Sequence, residues 1–147
     1  MIHQIDPTAP RRILGFAAAL ILAGPVVALA AEDVVTTKIL ETSVTNTGAP
    51  IVYPETDRPT ITVAIVEIAP GAATPVHRHP YPLVGYILEG TLEVTAEDGS
   101  VNRYETGDAL VEALDLDHQG RVIGDVPVRV LITVMGVAGE PVSVAAD

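Results

Sequence analysis

Residues 70–90 read Pro70-Gly71-Ala72-Ala73-Thr74-Pro75-Val76-His77-Arg78-His79-Pro80-Tyr81-Pro82-Leu83-Val84-Gly85-Tyr86-Ile87-Leu88-Glu89-Gly90. Glycines bracket two β-prone runs, the first of which carries His-Arg-His. Alternate side chains of a strand share a face, so His77 and His79 can converge on one point while Arg78 turns away. Alone, such a pair is no more than two polar residues on a sheet. The whole chain, however, has 4 histidines. His3 lies at the extreme N-terminus, which leaves His77, His79 and His118 downstream. A third imidazole brought in from a distant strand would complete one face of a coordination sphere.

Working outward from this stretch, short apolar or alternating runs are punctuated by Gly, Pro and Asp, without a sustained helical stripe. That pattern is all-β. The expected strands are Val34 to Leu40, Ile51 to Tyr53, Thr60 to Ala69, Pro75 to His79, Val84 to Leu88, Thr91 to Ala96, Val101 to Glu105, Ala109 to Glu112, Asp117 to Ile123 and Val128 to Val137. Pro70-Gly71, Glu97-Asp98-Gly99-Ser100, Thr106-Gly107-Asp108 and Asp125-Val126-Pro127 supply turns between them. With 1 Phe, 4 Tyr and 0 Trp, the core has to be packed from Val, Ile, Leu and Ala. Many short strands of this kind close into a barrel or sandwich. Glu32-Asp33 and Val142 to Asp147 read as loose tails.

A length of 147 residues suits one domain. Arg11-Arg12, the apolar run Ile13 to Leu29 and the small-residue end Ala28-Leu29-Ala30 follow signal-peptide grammar. The expected organisation is therefore a cleaved leader over 1–30 and a single domain over 31–147, exported to the periplasm or secreted. Gly24-Pro25 inside the run argues against a retained anchor. The twin Arg11-Arg12 shares little else with twin-arginine signals, because Pro10 and Leu14 stand where Ser or Thr and Phe are usual. With a net charge of −11, the chain repels phosphate backbones and anionic lipid, so neither nucleic acid nor, after leader removal, a membrane is an expected partner. A small molecule is. The chain has 0 Cys, which removes thiolate sites, disulfides and cysteine nucleophiles. Any metal is held by nitrogen and oxygen.

The spacing Gly71, His77-x-His79, Gly90 resembles the first signature of the cupin superfamily, as found in its small single-domain members. Gly107-Asp108, with His118 eleven residues after the glycine, resembles the second. Ala113, Asp115 and Val122 depart from it, standing where Pro, Gly and Asn are usual. The resemblance covers about Ile61 to Val137. It implies an antiparallel jelly-roll barrel with a metal in its lumen, ligated by His77, His79 and His118. Homodimerisation through Val34 to Leu40 would also be typical of the family.

One departure bears directly on the chemistry. The family's glutamate ligand falls four residues after the second histidine, and Leu83 occupies that position. Three neutral imidazoles would leave the full charge of a divalent ion, which favours an anionic or bidentate substrate. Alternatively another acid, Glu112 or Glu67, reaches the ion. The divalent ion is expected to be Fe(II), with Zn, Mn, Ni or Cu as alternatives. Three-histidine cupin sites resemble those of thiol and diketone-cleaving dioxygenases, although no cysteine is available for the Cys–Tyr crosslink seen in some thiol enzymes. Beyond the ligands Tyr81 is the one catalytic candidate, since Tyr86 reads as packing and parity puts Arg121 on the opposite face from His118. Two functions follow: a metal-dependent dioxygenase acting on a small chelating or anionic substrate, or a non-catalytic module whose metal fixes a ligand. Isomerase or lyase chemistry is a third. Hydrolase elbows, phosphate loops and dinucleotide fingerprints are missing from the sequence.

Overall fold

Runs of Val, Ile and Thr become strands here wherever alternation gives them one face to bury. A computed structural model describes residues 34–146, which contain β-strands and no helix. The strands are β1 (Pro59–Ile68), β2 (His77–Arg78), β3 (Leu83–Glu89), β4 (Thr91–Ala96), β5 (Val101–Glu105), β6 (Ala109–Val111), β7 (His118–Val122), β8 (Val128–Val137) and β9 (Val144–Ala145). They form two antiparallel sheets, ordered β1-β8-β3-β6 and β5-β4-β7-β2-β9.

The two sheets face each other across one apolar core. Ile68, Ile87, Leu110, Val128 and Val130 of the first pack with Leu92, Val94 and Val122 of the second. Full burial of each such side chain contributes about 1.5–3 kcal/mol. The same period of two that builds this core also aims the site. Along β7, the buried positions run from Val122 through Gly120 to His118. Along β3, they run from Ile87 through Gly85 to Leu83. Apolar packing thus gives way, on one continuous inner face, to an imidazole.

Two backbone positions hold the segments that frame the site. Gly90, which closes the first signature, has φ +83°, and a Cβ there would lie 2.4 Å from the Pro127 carbonyl oxygen. Gly90→Ala is therefore expected to destabilise the fold by about 3 kcal/mol, through both left-handed strain and a backbone clash. A lowered urea midpoint with unchanged slope checks it. Asp115, standing where the second signature carries glycine, has φ 50°. Its N–H donates to the His79 carbonyl at 3.0 Å. Asp is among the few residues that tolerate this left-handed bend.

Three expectations change. Val34 to Leu40 and Ile51 to Tyr53 form no strand; between them lies an isolated Val44–Pro50 bridge. β-propensity without a neighbouring edge to pair with does not make a strand. Conversely, the segment read as a loose C-terminal tail forms β9, which pairs His77 with Ala145 and Arg78 with Val144. The leader assigned to residues 1–30 lies outside the described residues.

Candidate metal centre

Local pairing brings the three histidines together. His77 on β2 sits directly opposite His118 on β7, so their side chains leave the same face of the sheet. His79, two residues on, returns to that face. Arg78 points away and meets Asp117 at 3.2 Å. Ring centroids are 4.6 Å apart for His77 and His118, 4.9 Å for His77 and His79, and 5.1 Å for His79 and His118.

The facing sheet supplies the carboxylate. Ladder pairs Val84–Val111 and Gly85–Leu110 set the register of β3 against β6. One step further, the Glu112 N–H donates to the Leu83 carbonyl at 3.0 Å. Glu112 therefore stands across the ladder from Leu83, and both side chains line the same cavity. The acid missing at residue 83 is present at its cross-strand neighbour. Glu112 Oε2 lies 2.8 Å from His79 Nε2 and 3.3 Å from His118 Nε2. The ligand atoms of His77, His79, Glu112 and His118 all fall within 4.8 Å of one another. Of the two acids weighed from sequence, Glu67 stays outside, paired with Arg129 at 3.0 Å on the exposed surface. The expectation of a carboxylate-free site is thus corrected to three imidazoles and one carboxylate.

Hydrogen bonds fix how the imidazoles present themselves. His77 Nδ1 donates to the Pro75 carbonyl, His79 Nδ1 to Val142 and His118 Nδ1 to Leu116, each at 2.8 Å. A carbonyl only accepts, so every Nδ1 carries the proton and every Nε2 turns a lone pair inward. Lone pairs aimed at a carboxylate repel unless a cation or a proton lies between them. This donor set therefore fits a divalent ion on physical grounds, and carbonyl-anchored tautomers are what metal-ligating histidines need.

The electrostatics of the four groups agree. Burial opposes the Glu112 charge, but when protons on Nε2 of His118 and His79 take the place of a cation, their hydrogen bonds outweigh it and hold the carboxyl down at about 2. Burial pushes the His118 imidazole down, yet the adjoining carboxylate overrides it and the net shift is upward. At His77 burial dominates, assisted by the two neighbouring imidazoles, and lowers its pKa against the pull of the Pro75 carbonyl. Protons compete with a metal for imidazoles, so metal affinity is expected to fall as pH drops from about 7 to about 5. Glu112 stays ionised through that range, so the loss follows the imidazoles, His118 first. A pH titration of the visible spectrum of the cobalt(II)-loaded protein measures it.

The remaining candidates lie elsewhere. Tyr81 packs over Gly136, where an added Cβ would come within 3.2 Å of its ring, and it does not line the cavity. Tyr86 pairs with Leu131 and Ala109 on the outer face of its sheet. Arg121 is exposed on the outward side of β7. Sequence reasoning missed the Val142 carbonyl that orients His79, because nothing local in a short C-terminal run signals a contact to residue 79. The cavity above the four residues holds about 440 Å³.

Two antiparallel sheets enclosing a histidine and carboxylate metal-binding group define a β-barrel metal protein. A cupin domain model matches residues 64–134, so this part of the chain is similar to a cupin domain. It is similar to an oxalate decarboxylase from Lactobacillus farciminis, with 26% identity and a TM-score of 0.52, over 58% of this chain and 26% of that one. It is also similar to the DMSP lyase DddQ from Ruegeria pomeroyi, with 25% identity and a TM-score of 0.52, over 67% of this chain and 47% of that one. A cupin-like protein from Thermotoga maritima shares the fold at 19% identity and a TM-score of 0.53, over 58% of this chain and 64% of that one. The chain spans less than two thirds of the length of each of these structures. No curated protein matches it.

Proposed function

We propose that the protein is a mononuclear-metal dioxygenase, with Fe(II) held by His77, His79, His118 and Glu112, acting on a small anionic organic substrate. The observation that carries this reading is the composition of the cavity. Among the described residues that line it, the only ionisable side chains are the four that converge at the metal position. Elimination and isomerisation draw on a side chain beyond the ligands to move a proton at the substrate, and the described lining offers none. Dioxygenation asks less of the protein: a metal centre with open positions beside a largely apolar wall. Four protein donors on an ion that takes six would leave two positions, one for a substrate oxygen and one for dioxygen, or both for a chelating ligand alone. An Fe(II) ion there supplies the redox chemistry by which both atoms of dioxygen enter an organic substrate. The carbonyl-anchored imidazoles keep their lone pairs aimed inward, and aliphatic side chains form the walls. Export to the periplasm or outside the cell is part of the proposal and rests on the leader grammar of residues 1–30.

The cavity composition also favours a second reading, a non-catalytic module in which the metal fixes a ligand. Anaerobic loading with Fe(II), followed by oxygen-uptake assays over thiol, diketone and hydroxyaromatic compounds, separates the two. The dioxygenase reading expects substrate-dependent oxygen consumption with an oxygenated product. Thermal stabilisation by a compound without oxygen uptake would establish the binding module instead. Failure of the wild type to hold any divalent metal would overturn both.

A further inference from the structure

Resting on that reading of a loaded centre, we propose that the site selects monoanionic chelators with a hydrocarbon body and discriminates against dianions such as oxalate. The first observation is charge. Glu112 cancels one of the two charges of a divalent ion, so a single negative charge on the ligand neutralises the centre. A second would remain uncompensated beside aliphatic walls, at a cost that grows with burial.

No side chain is placed to relieve that cost. Arg78 is paired with Asp117 and directed off the histidine face. Arg121 is exposed on the outer side of β7, and Arg129 is engaged by Glu67 at the surface. The cavity lining contains neither Lys nor Arg.

The second observation is what does line it. Val66, Ile68, Val130 and Ile132 from one sheet and Leu92 from the other form its walls. Two hydroxyls complete the polar lining. That of Thr74 accepts the Gly120 N–H at 3.0 Å, and Ser143 is exposed. Among the described lining residues there is no Phe, Tyr or Trp, so a cationic body finds no aromatic face. Aliphatic walls reward aliphatic atoms, and a cavity of about 440 Å³ lies within the range of small-ligand sites.

Straight-chain alkylhydroxamates, which bind metals through one anionic two-oxygen head, test this directly. The cobalt(II)-loaded protein would be titrated by visible absorption with acetohydroxamate, butanohydroxamate, hexanohydroxamate and oxalate. Affinity is expected to rise about two- to fourfold per added methylene, with oxalate at least about tenfold weaker than hexanohydroxamate. Ile132→Phe, which enlarges one wall of the cavity, is expected to lose the gain with chain length. A flat series in the wild type, or oxalate as the tightest ligand, would overturn the inference while leaving the metal centre standing. Persistence of the chain-length gain in a folded Ile132→Phe variant would overturn it too, by placing the chain outside this cavity. Failure to bind cobalt at all would instead remove the reading beneath it. Should the variant not fold, the wild-type series decides alone.

Discussion

Glu112→Leu is expected to lower divalent-metal affinity by at least about 100-fold, and adding Leu83→Glu to the same chain to restore most of it. Loss of an outer partner of a metal ligand already costs about 10–100-fold, and Glu112 is placed as a ligand itself. Its removal also leaves three inward lone pairs with no anion to balance a bound cation. Restoration follows from the ladder. Residues 83 and 112 are cross-strand neighbours joined by the Glu112 N–H to Leu83 carbonyl bond of 3.0 Å, and both open into the same cavity. Opposite positions on an antiparallel pair place their Cβ atoms about 5 Å apart, within reach of a flexible carboxylate. The exchange also keeps one leucine and one glutamate in the same space, so packing volume is conserved. Leu83→Glu alone should behave differently, since two carboxylates would then share one buried site and repel. Isothermal titration with Zn(II) or Mn(II) measures all three variants. If the double variant folds and binds no better than Glu112→Leu, the cross-strand placement of the ligand is wrong.

Deleting Val142 to Asp147 is expected to weaken metal binding by about 10–100-fold and to lower the melting temperature. The deleted segment carries β9, which forms the second edge of β2, and a backbone N–H of the same segment bonds the Val76 carbonyl at 3.1 Å. It also carries the Val142 carbonyl that holds the His79 tautomer at 2.8 Å. Without that acceptor the His79 ring is free to rotate and to protonate at Nε2, and the loss matches that of an outer-shell partner. Comparison with a deletion of Ala146 and Asp147 alone, which removes the bond to Val76 but spares β9 and the Val142 carbonyl, isolates the effect of those two features. Equal metal affinity in the long deletion and the full chain would show that the C-terminal strand plays no part in the centre.

These two expectations mark where the sequence could and could not be read. His77 and His79 were legible because a strand repeats every two residues, a local rule. The buried face ending in His118 follows from the same rule applied to β7. Glu112 could be named only as one of two acids, because its place depends on which strand pairs with β3 and in what register. That information is long-range, and once the Val84–Val111 pair is known the acid is determined. Val34 to Leu40 erred in the opposite direction: its β-branched residues describe a willing strand, but pairing also needs an edge to accept it. The last residues failed for a related reason, since two paired residues are too few to leave a periodic signal.

The central claim is that one divalent ion is held jointly by both sheets at His77, His79, His118 and Glu112. Metal analysis after anaerobic loading with Fe(II) and desalting, on the wild type beside a His77→Ala, His79→Ala double variant, tests it most directly. About one equivalent of metal per chain in the wild type, and less than about a tenth in the double variant, is the expected result for a mononuclear centre. Equal retention in the two proteins, whether high or low, would contradict it.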